Sequence, residues 1–125
     1  MLNRKTYFFL AVTWTAIVTF LSLASLGDVG SSIKIQGKDK VVHFTFYFVF
    51  VLFWNFFFKK DKKSLFTTII ILLFAIEYGV FMEICQGTFT TNRTPDILDI
   101  IANSSGAIAG WLFIVVYYKK KEATH

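Results

Sequence analysis

Residues 41–58 read VVHFTFYFVFVLFWNFFF, an apolar run without any Asp, Glu, Lys or Arg. An α-helix rises about 1.5 Å per residue, so this stretch would be about 27 Å long, close to the roughly 30 Å hydrocarbon core of a bilayer. Three further runs are similar in length and composition: residues 6–26, 65–85 and 97–118. The sequence therefore predicts an all-α, membrane-embedded bundle of four transmembrane helices.

The composition excludes a soluble monomer. Of the 125 residues, 55% are hydrophobic and 16 are Phe, whereas soluble domains are about 45 to 50% apolar. A chain of this length corresponds to one domain, which is too small to bury so many aromatic side chains in a core. The apolar content also excludes disorder. Residues 1–125 are therefore expected to form a single transmembrane domain.

The basic residues predict the orientation of this bundle. They cluster between the apolar runs and do not form one basic face, which argues against binding of nucleic acid. Cytoplasmic segments of membrane proteins are enriched in Lys and Arg. One side of the membrane would hold Lys34, Lys38, Lys40 and Arg93, and the other would hold Arg4, Lys5, Lys59, Lys60, Lys62, Lys63, Lys119, Lys120 and Lys121. We expect a multi-pass protein of the cytoplasmic membrane with both termini in the cytoplasm.

The first apolar run has an alternative interpretation. Basic residues at Arg4 and Lys5 precede it, and the small residues Ser22 and Ala24 follow it, as in a cleaved secretory signal. The run is longer than the core of a usual signal, and its loss would leave only three helices. We therefore favour a retained helix and keep the cleaved signal as the alternative.

Ionisable residues within the predicted helices indicate a site. Each costs about 2.5 to 3.5 kcal/mol on insertion, so such residues usually face the bundle interior and mark function. His43, Glu83 and Asp99 each lie roughly 4 to 5 Å below the outer ends of their helices. This common depth predicts an outward-facing polar pocket with these candidate ligand-binding residues: Lys40, His43, Tyr47, Glu83, Gln86, Arg93, Asp96, Asp99 and Asn103. Glu77 lies deeper, near the midplane, and its role stays open.

These residues resemble the sequence pattern of a known protein family. They are similar to the VanZ-like family of small bacterial membrane proteins at Asp39-Lys40, His43, Tyr47, Glu83, Gln86, Arg93, Asp96, Asp99, Asn103, Gly106 and Gly110. The most specific part runs from residue 83 to residue 110. The family takes its name from a protein linked to resistance to the lipid-bearing antibiotic teicoplanin, so the resemblance implies a bacterial cell-envelope protein connected with antibiotic resistance. It does not imply a molecular activity.

Several of these residues also have structural explanations. Asp96 and Asp99 could cap the N-terminus of the fourth helix. Ala102, Gly106 and Gly110 form a stripe of small residues that favours close helix packing. The ligand types for a metal are present, but no compact metal-binding signature is, and no nucleotide-binding loop occurs, so we expect no metal and no cofactor. Cys85 cannot form an internal disulfide, because it is the single Cys.

Three functional hypotheses follow. The first is a binding or accessory protein whose partners are membrane lipids, a lipid-linked cell-wall precursor or a lipoglycopeptide. The second is an intramembrane enzyme that uses His43, Glu83 and Asp99 as catalytic acids and bases on a lipid-linked substrate. The third is a helix bundle whose polar layer only fixes the helix register. The sequence leaves the oligomeric state open.

Overall fold

The computed structural model describes residues 3–23, 38–58, 65–89 and 97–123, except for the side chains at 23, 38–39, 86–89 and 121–123. The chain forms four helices: α1 (Arg4–Leu23), α2 (Lys38–Phe58), α3 (Leu65–Phe89) and α4 (Ile97–Ala123). Each is long and apolar enough to cross a membrane. The prediction of an all-α bundle with four spans is therefore confirmed, and α3 and α4 continue a few residues beyond their predicted ends.

The start of α1 has a local cause. The Asn3 side-chain oxygen Oδ1 accepts hydrogen bonds from the Thr6 backbone N at 2.9 Å and from the Thr6 hydroxyl at 3.0 Å. This is N-capping, which satisfies a backbone N–H that the first turn leaves without a helical acceptor. The helix consequently begins at Arg4, slightly before the apolar run itself.

The helices are arranged as a diamond. The largest interface joins α2 and α4, and α3 also packs against both of them. Helix α1 packs against α2 and α3, while the described backbones of α1 and α4 do not come together. Helices α2 and α3 therefore occupy the short diagonal, and polar residues on α2 can meet partners from any of the other three helices.

Two glycines explain the large interface between α2 and α4. A Cβ atom added at Gly106 would lie 2.1 Å from the carbonyl oxygen of Phe44, and one at Gly110 would lie 2.9 Å from that of Phe48. The backbones of the two helices therefore touch directly at these positions. Ala102, one turn earlier on α4, is partly buried. Close approach of this kind is how small residues promote helix association in membranes.

Helix α1 is hydrogen-bonded into the bundle. Trp14 donates from its indole nitrogen Nε1 to the carbonyl oxygen of Phe46 at 2.8 Å, and Trp54 donates to the hydroxyl of Thr15 at 3.0 Å. Thr19 is hydrogen-bonded to the hydroxyl of Tyr78 on α3. Removal of α1 would break all of these bonds.

The outer surface of the bundle is apolar. Phe9, Phe20, Phe66, Phe74 and Ile97 are each between 66% and 72% exposed. In water such a surface would drive aggregation, whereas in a bilayer it faces hydrocarbon. The excess of apolar residues in the composition is therefore located on the lipid-facing surface.

Candidate functional site

The first turns of α2 and α4 meet through an ion pair. The ammonium nitrogen Nζ of Lys40 lies 2.5 Å from Oδ1 of Asp99. The Lys40 side chain is 31% exposed, whereas that of Asp99 is only 2% exposed. Lys40 therefore lies at the rim of the bundle, and the carboxylate lies beneath it. A buried carboxylate needs such a partner, because its desolvation is otherwise strongly unfavourable.

His43 lies one turn deeper on the same face of α2 and contacts the same stretch of α4. Its ring nitrogen Nδ1 is 2.9 Å from the side-chain oxygen of Asn103. Because that oxygen can only accept, His43 donates from Nδ1. The other ring nitrogen, Nε2, points toward Asp99 and lies 3.9 Å from Oδ2, beyond hydrogen-bonding distance. The two oxygens of Asp99 therefore face two different basic side chains.

Tyr47 and Gly79 lie below this pair. A Cβ atom added at Gly79 would lie 3.1 Å from the Cβ of Asn103 and 3.5 Å from Cε1 of Tyr47, so α3 fits closely against both residues. Tyr47 is 1% exposed, and its hydroxyl has no hydrogen-bond partner among the described residues. A buried hydroxyl without a partner is unfavourable, which makes it a natural contact for a bound ligand.

Helix α3 contributes Glu83 to the same region. Glu83 is 1% exposed, and it is near enough to the Tyr47 hydroxyl for the two groups to interact electrostatically. We call Lys40, His43, Tyr47, Glu83, Asp99 and Asn103 the polar cluster. It contains two carboxyl groups and two basic side chains, and all of its members except Lys40 are buried.

The structure thus brings together six of the nine candidate residues. Arg93 and Asp96 lie outside the described residues, and Gln86 lies on α3 without a described side chain. Nowhere in the described part of the chain do three His, Cys, Asp or Glu side chains converge as metal ligands would. Cys85 is buried as a free thiol.

Three contributions were missed by the sequence analysis. Gly79 allows α3 to approach Asn103, and its signal was a small residue one turn before Glu83 on the same helix face. The Thr19–Tyr78 bond fixes α1 against α3. Asn3 caps α1.

Glu77, whose role was left open, is exposed on the outside of the bundle.

The comparisons with known proteins agree with this architecture. A family model described as VanZ/LLP1 matches residues 3–118. The chain belongs to the VanZ/LLP1 family. The resemblance to VanZ-like proteins in the sequence is therefore confirmed, and the match covers α1, α2 and α3 and most of α4.

The VanZ/LLP1 chain is also similar to an uncharacterized protein of Schizosaccharomyces pombe. The two are 30% identical over 105 residues, which is 84% of this chain and 63% of the other protein. The chain thus spans less than two thirds of the length of that relative. Because S. pombe is not a bacterium, similarity alone does not assign this VanZ/LLP1 protein to bacteria. No solved structure matches the chain.

Proposed function

We propose that this VanZ/LLP1 protein binds the anionic headgroup of a membrane-embedded ligand at the Lys40 end of the bundle. The observation that carries the proposal is the difference in exposure within the Lys40–Asp99 pair, 31% against 2%. The cation is accessible from outside, whereas its carboxylate partner is not. An incoming anion would therefore meet Lys40 first.

Binding would proceed by exchange of partners. An ammonium group has three donors, so Lys40 can turn toward a phosphate oxygen and form a charge-assisted hydrogen bond. Asp99 would then lose its partner at Oδ1 but would keep the imidazole of His43 near Oδ2, 3.9 Å away. The polar cluster thus keeps a second basic side chain beside the carboxylate during such an exchange.

The surroundings of Lys40 favour an amphiphilic ligand. Its neighbours on the outer faces of α2 and α4 are apolar and exposed: Val41 is 66% exposed, Ile97 is 71% exposed and Leu98 is 56% exposed. A cation at a helix end, beside exposed apolar side chains, matches a molecule with an anionic headgroup and hydrocarbon chains. A water-soluble anion would use only Lys40.

We further propose that the Lys40 end faces outward in a cytoplasmic membrane. The exposed residues Arg4, Lys5, Lys119 and Lys120 lie at the opposite end of the bundle, and basic ends of membrane helices usually remain in the cytoplasm. The ligand would then belong to the cell envelope. The candidates are an anionic phospholipid, a lipid-linked cell-wall precursor and a lipoglycopeptide antibiotic. Binding of the precursor or of the antibiotic itself would produce tolerance to the antibiotic.

The test is a binding titration with the purified protein in phosphatidylcholine nanodiscs. Phosphatidylglycerol, a polyprenyl pyrophosphate and teicoplanin are added separately, and occupancy is measured by native mass spectrometry. Lys40→Gln is expected to weaken binding of the true ligand about 10-fold or more, because it removes a charged hydrogen-bond donor. Lys119→Gln removes the same charge at the other end and should bind like the unmodified protein. Equal affinities for the two variants would overturn the proposal.

A second candidate function is an intramembrane enzyme. The orientation of His43 supports it, because Nε2 faces the Asp99 carboxylate while Nδ1 is held by Asn103. A histidine held in this way can act as a general acid or base, with Glu83 as another buried carboxyl group nearby. Release of product from a lipid-linked substrate by the purified protein would support this function. Unchanged function of a folded His43→Ala variant would exclude it.

A further inference from the structure

Glu77 lies on the lipid-facing side of α3 at mid-depth. It is twelve residues from Leu65 and eight from Cys85, the two ends of its span, or about 18 Å and about 12 Å along the helix. The side chain is exposed and has no hydrogen-bond or ion-pair partner among the described residues. The nearer end of the span is too far for the carboxyl group to reach by bending toward the headgroups.

The surface around Glu77 is entirely apolar. Leu73 is 54% exposed, Phe74 is 66% exposed, Phe81 is 57% exposed and Ile84 is 55% exposed, and all four lie on the same side of α3. Ionisable groups within membrane helices almost always pair or face a protein interior. A carboxyl group in the middle of this stripe therefore indicates a surface that is covered in the assembled protein.

We infer that a second copy of this chain covers this surface, so that two α3 helices pack around a two-fold axis along the membrane normal. Such an axis places the Glu77 of each copy at the same depth on facing surfaces. Two carboxyl groups that face each other can share a proton and hydrogen-bond reciprocally. Glu77 of one copy can thus pair with Glu77 of the other copy.

The positions of the other polar residues support this pairing. The lysines and arginines whose side chains are described all lie near helix ends, so none of them in a second copy reaches Glu77: Arg4, Lys5, Lys40, Lys119 and Lys120. Thr13 is exposed near the middle of α1 and could donate to Glu77 of another copy. That contact would be head-to-tail and would build rings or open chains, whereas the Glu77 pair closes as a dimer.

The experiment measures dimerisation of the full chain by dilution in vesicles, with single-molecule photobleaching to count the copies. Glu77→Leu is expected to weaken association about 3- to 30-fold, since a hydrogen-bonded pair in a membrane contributes about 0.6 to 2 kcal/mol. Glu77→Gln should retain the dimer, because amides also pair with each other. Thr13→Leu is the matched control and should dimerise like the unmodified protein.

Disulfide trapping locates the interface. In a Cys85→Ala background, Phe81→Cys lies one turn from Glu77 and should cross-link to its own copy, whereas Leu112→Cys on the exposed face of α4 should not. A monomer at all dilutions, or an effect of Glu77→Leu that Thr13→Leu shares, would overturn the inference. Loss of the dimer in Glu77→Gln as well would indicate that Glu77 acts as an ionised carboxylate and not as one half of a carboxyl pair, and would also overturn the inference.

Discussion

Lys40 and Asp99 are 59 residues apart in the chain, and yet their charged atoms lie 2.5 Å apart at the start of α2 and α4. This pair connects the exposed rim of the bundle to a buried cluster that contains His43 and Asn103. The proposed function rests on that ion pair, because a ligand that moves the Lys40 ammonium group changes the surroundings of the buried Asp99 carboxylate.

Gly106 should tolerate no side chain. Gly106→Ala is expected to lower the free energy of unfolding by about 1 to 3 kcal/mol, because the added methyl group meets the backbone of Phe44, which cannot move away without separating α2 from α4. Unfolding in detergent, followed by circular dichroism, measures the change. The neighbouring Ser105 is exposed, and Ser105→Ala should have no comparable effect. Equal stability of the two variants would show that the helices are not in backbone contact.

Thr19 should contribute to stability through its bond to Tyr78. Thr19→Val keeps the shape of the side chain but removes the hydroxyl, which donates to the carbonyl oxygen of Thr15 at 2.8 Å and accepts from Tyr78. A loss of about 0.5 to 1.5 kcal/mol is expected, and Tyr78→Phe should reproduce the part that belongs to the bond between the helices. Thr13→Val makes the same change on the exposed side of α1 and should leave stability unchanged. The same unfolding measurement applies, and a similar loss in both variants would contradict the assigned bond.

Tyr47→Phe should change stability and ligand binding in opposite directions. The hydroxyl is buried and has no partner in the described part of the chain, so its removal is expected to raise the free energy of unfolding by about 1 kcal/mol. If the hydroxyl contacts the ligand, the same variant should bind it more weakly in the nanodisc titration. Tyr78→Phe is the control, because it loses the bond to Thr19 and should be less stable. A Tyr47→Phe variant that is less stable and binds normally would contradict this role.

Both termini should lie in the cytoplasm. A green fluorescent protein fused after His125 is expected to fluoresce, whereas alkaline phosphatase at the same position should be inactive, because each reporter works on only one side of the membrane. The physical reason is the basic segment at Lys119 and Lys120, which resists translocation. Active phosphatase would place the polar cluster on the cytoplasmic side and would exclude an envelope ligand.

The sequence predicted the spans because length and hydropathy are properties of a continuous stretch. The common depth of His43 and Asp99 followed from helix rise in the same way. Which residues become partners depends on how each helix is rotated about its axis, and that rotation is set by packing with the other helices. The sequence therefore could not show that His43 bonds to Asn103, or that Lys40 reaches Asp99 before any ligand.

The glycines also show which contacts between helices the sequence could and could not reveal. Gly106 and Gly110 were predictable as a packing stripe, since they are spaced one turn apart and Ala102 precedes them. Gly79 in α3 was not singled out, and its closeness to Asn103 and Tyr47 in the folded bundle shows why a small residue is needed there. The hydroxyl of Thr19 also gave no signal, because a threonine in a membrane helix often bonds to its own backbone, as Thr15 does with Ala11 and Thr19 itself does with Thr15.

The central claim is that Asp99 and an anionic headgroup compete for Lys40, and a double-mutant cycle on ligand affinity tests it most directly. Affinities are measured in nanodiscs for the unmodified protein, Asp99→Asn, Lys40→Gln and the double variant. Asp99→Asn is expected to bind the ligand several-fold more tightly, and the same substitution is expected to have no effect once Lys40 is replaced. Equal effects of Asp99→Asn with and without Lys40 would contradict the competition. Failure of every folded variant to differ from the unmodified protein would leave the cluster with a purely structural role.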